Sequence, residues 1–155
     1  MLGTQRLRTT PVNVIGLTSG VIQIASGGFH TCALTNLGSV KCWGKNWAGQ
    51  LGDGTTTTRL TPVEVAGIGG DVRAVSAGQG HTCALTNAGG VKCWGSNWAG
   101  MLGDGTTTNR STPVDATVLG SGVSAISAGA SHSCALSSSG GVKCWGYNEW
   151  GSLGN

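Results

Sequence analysis

Six cysteines, three histidines and six tryptophans are the residues of this 155-residue chain with the most chemistry to offer. The cysteines come in pairs ten residues apart: Cys32/Cys42, Cys83/Cys93 and Cys134/Cys144. Each pair flanks a glycine-containing turn. In a hairpin centred on that turn the two residues face each other across adjacent strands, with Cβ atoms roughly 4.5–5.5 Å apart. That is slightly wide for a disulfide, though local twist can close it. Two states fit this spacing. One is three cross-strand disulfides, which need an oxidising compartment. The other is reduced thiols buried as small apolar groups. His30, His81 and His132 stand two residues before the first Cys of each pair. On one strand face, His-x-Cys with the opposing Cys offers three ligands, one fewer than a closed structural zinc site uses. A structural histidine bonded to neighbouring backbone is expected instead, and no metal.

Trp43, Trp94 and Trp145 each precede a glycine and are expected to pack between structural units. Trp47 and Trp98 follow in the next loop, where the third copy has Glu149 and then Trp150. Loop aromatics either pack on a neighbouring unit or stand on a rim as binding anchors. Trp47, Trp98 and Trp150 are therefore the candidate ligand-binding residues. Asp53-Gly54-Thr55 and Asp104-Gly105-Thr106 begin like calcium loops but lack the spaced acids and the distal Glu. They are expected to be turns capped by the Asp. There are only six acidic residues, no acid pair that repeats and no nucleophile elbow. No catalytic residue and no cofactor are expected.

The cysteines, the histidines and the tryptophans of the Trp-Gly pairs recur at one step of 51. It relates Cys32, Cys83 and Cys134, then Cys42, Cys93 and Cys144, then Pro11, Pro62 and Pro113. A strict period of that length marks one supersecondary unit stacked on copies of itself. In the middle copy, Val72–Gly78, His81–Thr86 and Val91–Gly95 read as strands, with a turn at Asn87–Gly90. A long loop, Ser96–Thr112, leads to a short fourth strand starting at Pro113, whose missing donor suits an outer edge. Four antiparallel strands in about 50 residues describe a propeller blade. The expected fold is all-β, a β-propeller of three four-stranded antiparallel blades per chain. The single repeat domain, 1–155, divides into an orphan outer strand (1–20), repeats at 21–70 and 71–122, and an incomplete repeat at 123–155.

The phase of the copies predicts an assembly. Met1-Leu2-Gly3 corresponds to the point in the unit at which the chain ends. Thr9–Val14 is then a fourth strand without a blade, and Val123–Gly146 is three strands without a fourth. Three blades are too few to close, since propellers have about 4–8. Two chains arranged head to tail, each lending its first strand to the other's last blade, give a six-bladed homodimer; the alternative is that the chain is a fragment of a longer propeller.

Composition agrees with short strands and tight turns. Gly accounts for 29 residues, charged residues for 10%, and the net charge is +3. Lys41, Lys92 and Lys143 recur at one position and form a ladder, not the clustered patch that nucleic acid requires. No nucleic-acid partner is expected. No stretch is long enough to span a membrane, and the first residues lack a signal peptide's apolar core. The compartment stays open, extracytoplasmic if the cysteines are bonded. A cytosolic protein and a piece of a longer exported one both fit.

Residues 80–106, Gly-His-Thr-Cys-Ala-Leu-Thr-Asn-Ala-Gly-Gly-Val-Lys-Cys-Trp-Gly-Ser-Asn-Trp-Ala-Gly-Met-Leu-Gly-Asp-Gly-Thr, resemble the regulator-of-chromosome-condensation repeat. The family pattern falls on Ser76-Ala77-Gly78, His81-Thr82, Ala84-Leu85, Trp94-Gly95, Asn97, Gly100 and Leu102-Gly103, and returns in the other copies. The resemblance implies a β-propeller, usually of seven blades. It also implies a choice among guanine-nucleotide exchange or chromatin binding, ultraviolet-B sensing, and inhibition of β-lactamases. Ultraviolet sensing is disfavoured, because Gly27-Gly28-Phe29-His30-Thr31 and Gly78-Gln79-Gly80-His81-Thr82 lack the family photoreceptor's Trp and Arg. The expectation is a non-catalytic scaffold that binds an unidentified protein. The alternatives are nucleotide exchange or chromatin binding, and a carbohydrate-binding propeller that uses the loop tryptophans.

Overall fold

The computed structural model describes residues 5–117 and 119–155. Among the described residues, eleven strands form three antiparallel meanders. The first sheet has β1 (Val21–Ser26), β2 (His30–Thr35), β3 (Val40–Gly44) and β4 (Arg59–Glu64), in that order. The second has β5 (Val72–Ala77), β6 (His81–Thr86), β7 (Val91–Gly95) and β8 (Arg110–Asp115). The third has β9 (Val123–Ala128), β10 (His132–Ser137) and β11 (Val142–Gly146), and among the described residues no strand pairs with the outer side of β11. These are the antiparallel sheets expected of blades.

The fourth strand differs from its sequence reading. It begins at Arg110, and Pro113 lies inside it. The register explains why this is tolerated. Cys93 faces Val114 and Gly95 faces Arg110, so the ladder shifts around Trp94, and Pro113 sits in the irregular stretch of an edge strand. A residue without a backbone donor interrupts no ladder there. β4 repeats the irregularity around Pro62.

Each β2–β3-type hairpin closes through a short turn with a glycine in the left-handed region. In the middle copy the Thr86 N–H bonds the Gly90 carbonyl and Gly89 has φ +80°. The glycine after each tryptophan has a different reason. Gly95 has φ +102°, and a Cβ there would lie 2.6 Å from the Gly80 carbonyl and 2.9 Å from the His81 Cα.

The core lies between blades, not within them. Cys32, Leu34, Val40 and Cys42 of the first blade pack against Val72, Val75, Ala84 and Trp94 of the second. The second and third blades repeat the arrangement through Cys83, Leu85, Val91, Cys93, Val123 and Ala135. β6 is buried along its whole length because the middle blade is covered on both faces.

Residues 5–20 form no strand and are largely exposed. The expected orphan strand Thr9–Val14 is not formed here: Thr9 and Thr10 lie in a bend and 11–14 pair with no strand. Met1-Leu2-Gly3, on which the phase of the repeat was read, lies outside the described residues.

Candidate functional site

The cysteines form three disulfides: Cys32–Cys42, Cys83–Cys93 and Cys134–Cys144. The ladder puts them in register. Backbone bonds from Lys45 N–H to Phe29 O and from Thr35 N–H to Ser39 O mark hydrogen-bonded pairs on either side. Alternation along the hairpin then places Cys32/Cys42 at a pair without backbone bonds, the closer kind. The Cα separation is 4.1 Å. The sulfurs are committed to one another, so the three-ligand zinc arrangement is not available.

His30 and His81 are buried, and each bonds the blade that follows. His30 Nε2 lies 2.7 Å from Thr82 Oγ1, and His81 Nε2 lies 2.9 Å from Ser133 Oγ. The expected partner was backbone; a hydroxyl from the next blade's second strand takes its place. The tautomer follows from proton counting. The Thr82 hydroxyl donates its single proton to the Gln50 carbonyl at 2.9 Å, so His30 Nε2–H must donate to Thr82. Nδ1 then carries the lone pair, and it is buried without a partner in both histidines. Gly27 and Gly78 make room for the rings: a Cβ on Gly27 would lie 2.7 Å from the His30 Cε1. Burial lowers the pKa of both imidazoles to about 4.

The tryptophans of the Trp-Gly pairs complete the same joint. Trp94 Nε1–H donates to the Gln50 carbonyl at 3.0 Å, beside Thr82. Trp145 Nε1–H donates to the Met101 carbonyl at 2.8 Å, and the Ser133 hydroxyl joins it at 2.9 Å. One carbonyl of each of the first two long loops thus receives a hydroxyl and an indole from the next blade. Sequence reading missed this joint. Its signal is the hydroxyl that follows each histidine, at Thr31, Thr82 and Ser133.

The long loops are rigid on their own account. The Asn46 amide donates to Asp53 Oδ1 and to the Thr55 and Thr57 carbonyls, while its Oδ1 accepts the Leu51 N–H. Asn97 does the same for Asp104, Thr106, Thr108 and Leu102. The aspartates cap the turn as expected and also pair with Arg59 and Arg110. Burial pushes the Asp53 carboxyl up. Hydrogen bonds from Thr55 and Arg59 outweigh it and hold the pKa below the ordinary value.

Trp47, Trp98 and Trp150 are all exposed, as is Phe29. Trp47 rests against Gly80 of the second blade. Trp98 packs against Tyr147 of the third, with ring centroids 4.9 Å apart. Phe29, Trp47, Gly80 and Trp98 line a cleft of about 220 Å³. Trp150 stands apart from it. Lys45 lies over the Phe29 ring at 5.0 Å. Phe29 and Tyr147 join the rim without having been expected there. Between the third and fourth strands Lys41 pairs with Glu64 and Lys92 with Asp115. Among the described residues no group of three His, Cys, Asp or Glu is arranged to hold a metal.

The profile of the regulator of chromosome condensation (RCC1) repeat matches residues 38–85 and 88–136, and a second profile of the same description matches 21–50 and 123–151. The ultraviolet-B receptor UVR8 of Arabidopsis thaliana is 37% identical over 135 residues, which are 86% of this chain and 31% of the receptor. The probable E3 ubiquitin-protein ligase HERC4 of Homo sapiens is 34% identical over 159 residues, 100% of this chain and 15% of the ligase. Among solved structures, Prp20p of Saccharomyces cerevisiae, described with its binding to Gsp1p and histones, superposes with a TM-score of 0.75 at 28% identity, over 87% of this chain and 34% of Prp20p. Human WBSCR16 superposes with a TM-score of 0.74 at 27% identity, over 83% of this chain and 33% of that one. The chain therefore spans about a third or less of the length of these relatives.

Proposed function

The chain belongs to the RCC1 repeat family, and from that premise we propose that it is a non-catalytic scaffold whose tryptophan rim binds another protein. The observation that carries the reading is the paired exposure of Trp47 and Trp98. Each stands on a loop pinned by an asparagine network and leans on the neighbouring blade. Rigid, half-exposed aromatics lose little entropy on binding and make strong anchors. Near-identical blades present such anchors repeatedly, which suits a multivalent partner. The protein-binding description of Prp20p accords with this use of the fold.

We further propose that two chains join head to tail as a six-bladed homodimer, with residues 1–20 supplying the outer strand of the partner's third blade. The intrablade disulfides favour an extracytoplasmic setting.

The rim is tested by retention of proteins from a lysate of the source cells on immobilised chain. The expected result is a bound protein lost with Trp47→Ala and Trp98→Ala together but kept with Leu37→Ala, which alters the opposite rim. Equal retention by all three chains removes the rim reading. Binding on a glycan array that disappears with the same tryptophan pair replaces it with the carbohydrate alternative.

A further inference from the structure

The cleft beside Trp47 exists because one copy of the repeat is small where the other two are large. Phe29, Gly80 and Ser131 are equivalent residues, and so are Lys45, Ser96 and Tyr147. The backbone joins them in pairs: the Lys45 N–H bonds the Phe29 carbonyl, the Ser96 N–H the Gly80 carbonyl, and the Tyr147 N–H the Ser131 carbonyl. The first and third blades carry a bulky side chain in this pair, and the second carries none. The histidine, the Trp-Gly pair and the loop asparagine around these positions are the same in every copy. Tyr147 shows what a large side chain does here. It packs on Trp98, the loop tryptophan of the blade before it. Ser96 holds that position beside Trp47, and the space it leaves is the cleft of about 220 Å³. Gly80 keeps the space open. Its φ is not positive, so its backbone does not demand glycine, but a Cβ there would lie 3.3 Å from the Trp47 ring.

The lining says what would fill it. Met101 is buried and meets the cleft together with Phe29, Trp47 and Trp98. A thioether among aromatic rings adapts readily to an incoming ring. The volume falls below the roughly 300–1,000 Å³ of small-molecule pockets and suits a single side chain. The polar lining is short, Gln79, Ser96 and Ser131, and the asparagines and aspartates of the adjoining loops are committed to those loops. At one end of the cleft Lys45 Nζ lies 5.0 Å over the Phe29 ring. Lys41, Lys92, Arg59 and Arg110 each pair with an acid, whereas Lys45 pairs with none among the described residues. An exposed cation without a counter-charge, set beside an apolar cleft, complements a carboxylate next to an apolar anchor.

We infer that this cleft receives one aromatic side chain from an acidic segment of the partner protein, and that a carboxylate of the same segment pairs with Lys45. This rests on the rim reading above and names what the rim recognises. Every residue it uses lies between blades of the same chain.

The test selects a phage-displayed library of random peptides on the immobilised full chain. Affinities of the enriched peptides are then measured by fluorescence anisotropy for wild type, Ser96→Tyr, Lys45→Gln and the control Leu37→Ala. Ser96→Tyr gives the second blade the third blade's own side chain and fills the cleft. Circular dichroism and the disulfide mass confirm that each variant is folded. The enriched peptides are expected to share an aromatic residue close to Asp or Glu. Ser96→Tyr should weaken them roughly thirtyfold, the loss of one anchoring side chain. Lys45→Gln should weaken them roughly threefold at low salt, an effect that added salt removes, as for an exposed ion pair. Leu37→Ala should change nothing. Peptides that bind Ser96→Tyr as tightly as wild type, yet are lost with Trp47→Ala and Trp98→Ala together, overturn the cleft and leave the rim. Peptides that none of these changes affects overturn the rim reading itself. Enrichment of basic sequences, or binding indifferent to Lys45→Gln at low salt, overturns the acidic partner. A selection that enriches no peptide over the bare support overturns the inference, as does a glycan bound by wild type and not by Ser96→Tyr, which assigns the cleft to a sugar.

Discussion

His30 and His81 are the residues at which the fold is most exposed to pH. Each imidazole is buried neutral, with Nε2–H spent on a hydroxyl and Nδ1 facing no donor. The folded pKa of about 4 lies below the ordinary 6.5, so the unfolded chain binds protons first as pH falls. Stability is full above the unfolded value and is lost between about 6.5 and 4. By the linkage relation each histidine withdraws about 2 kcal/mol by pH 5. A melting temperature followed from pH 7.5 to 5 at constant chain concentration should fall steeply. His81→Gln should melt lower at neutral pH but with a shallower slope. A flat profile for the wild type means these imidazoles are not held neutral. The position of the histidines was legible in the repeat, but their partner was not. The hydroxyl comes from a residue some fifty positions away, and only the stacking of blades brings it within 2.7 Å.

At the scale of the element, the long loop between the third and fourth strands is held by one amide. Asn97 is fully buried and satisfies the Leu102 N–H and the Thr106 and Thr108 carbonyls. Asn97→Leu leaves these groups and part of Asp104 without a partner, each costing roughly 1–3 kcal/mol. A loss of about 4 kcal/mol in denaturant unfolding is expected, and less than 1 kcal/mol means the loop finds other partners. Asn148, on the third loop, is exposed, so Asn148→Leu should cost less. The hairpin was the most legible element. The spacing of Cys83 and Cys93 around a glycine turn predicted opposed residues, and the ladder pairs them. The fourth strand was the least legible. Pro113 suggested a strand start because proline cannot donate, whereas the chain absorbs it in an irregular stretch of the ladder. Both signals are local, but only the second depends on a register set by other residues. The disulfides differ in cover. Cys32–Cys42 and Cys83–Cys93 are buried between blades, while Cys134–Cys144 lies half-exposed on the open face. Limited reduction followed by alkylation and mass spectrometry should open Cys134–Cys144 first when the chain is dilute. Equal opening of all three means burial does not control access.

At the scale of the whole molecule, the stacking of blade on blade builds the core among the described residues, because the apolar side of one sheet is satisfied by the next. The middle blade is covered twice and the outer two once. Among the described residues β11 has no neighbour on its outer side. Residues 5–20 are largely exposed and form no strand. A free edge and an exposed apolar face are both costly to leave in water, and one partner placed head to tail covers both. The two contributions separate by deletion. Removing residues 1–14 takes away the added strand but leaves the first blade in place. If face and strand act together, the truncated chain should be monomeric at micromolar concentration while keeping three disulfides and its β circular dichroism. A truncated chain that dimerises as tightly as the full one assigns the assembly to the blade faces alone and removes strand exchange. The Cys134–Cys144 bond offers an independent reading of the same state. In the proposed head-to-tail pairing it would lie on the covered face, so its rate of reduction should then fall as chain concentration passes the dissociation constant, and in the truncated chain it should not depend on concentration.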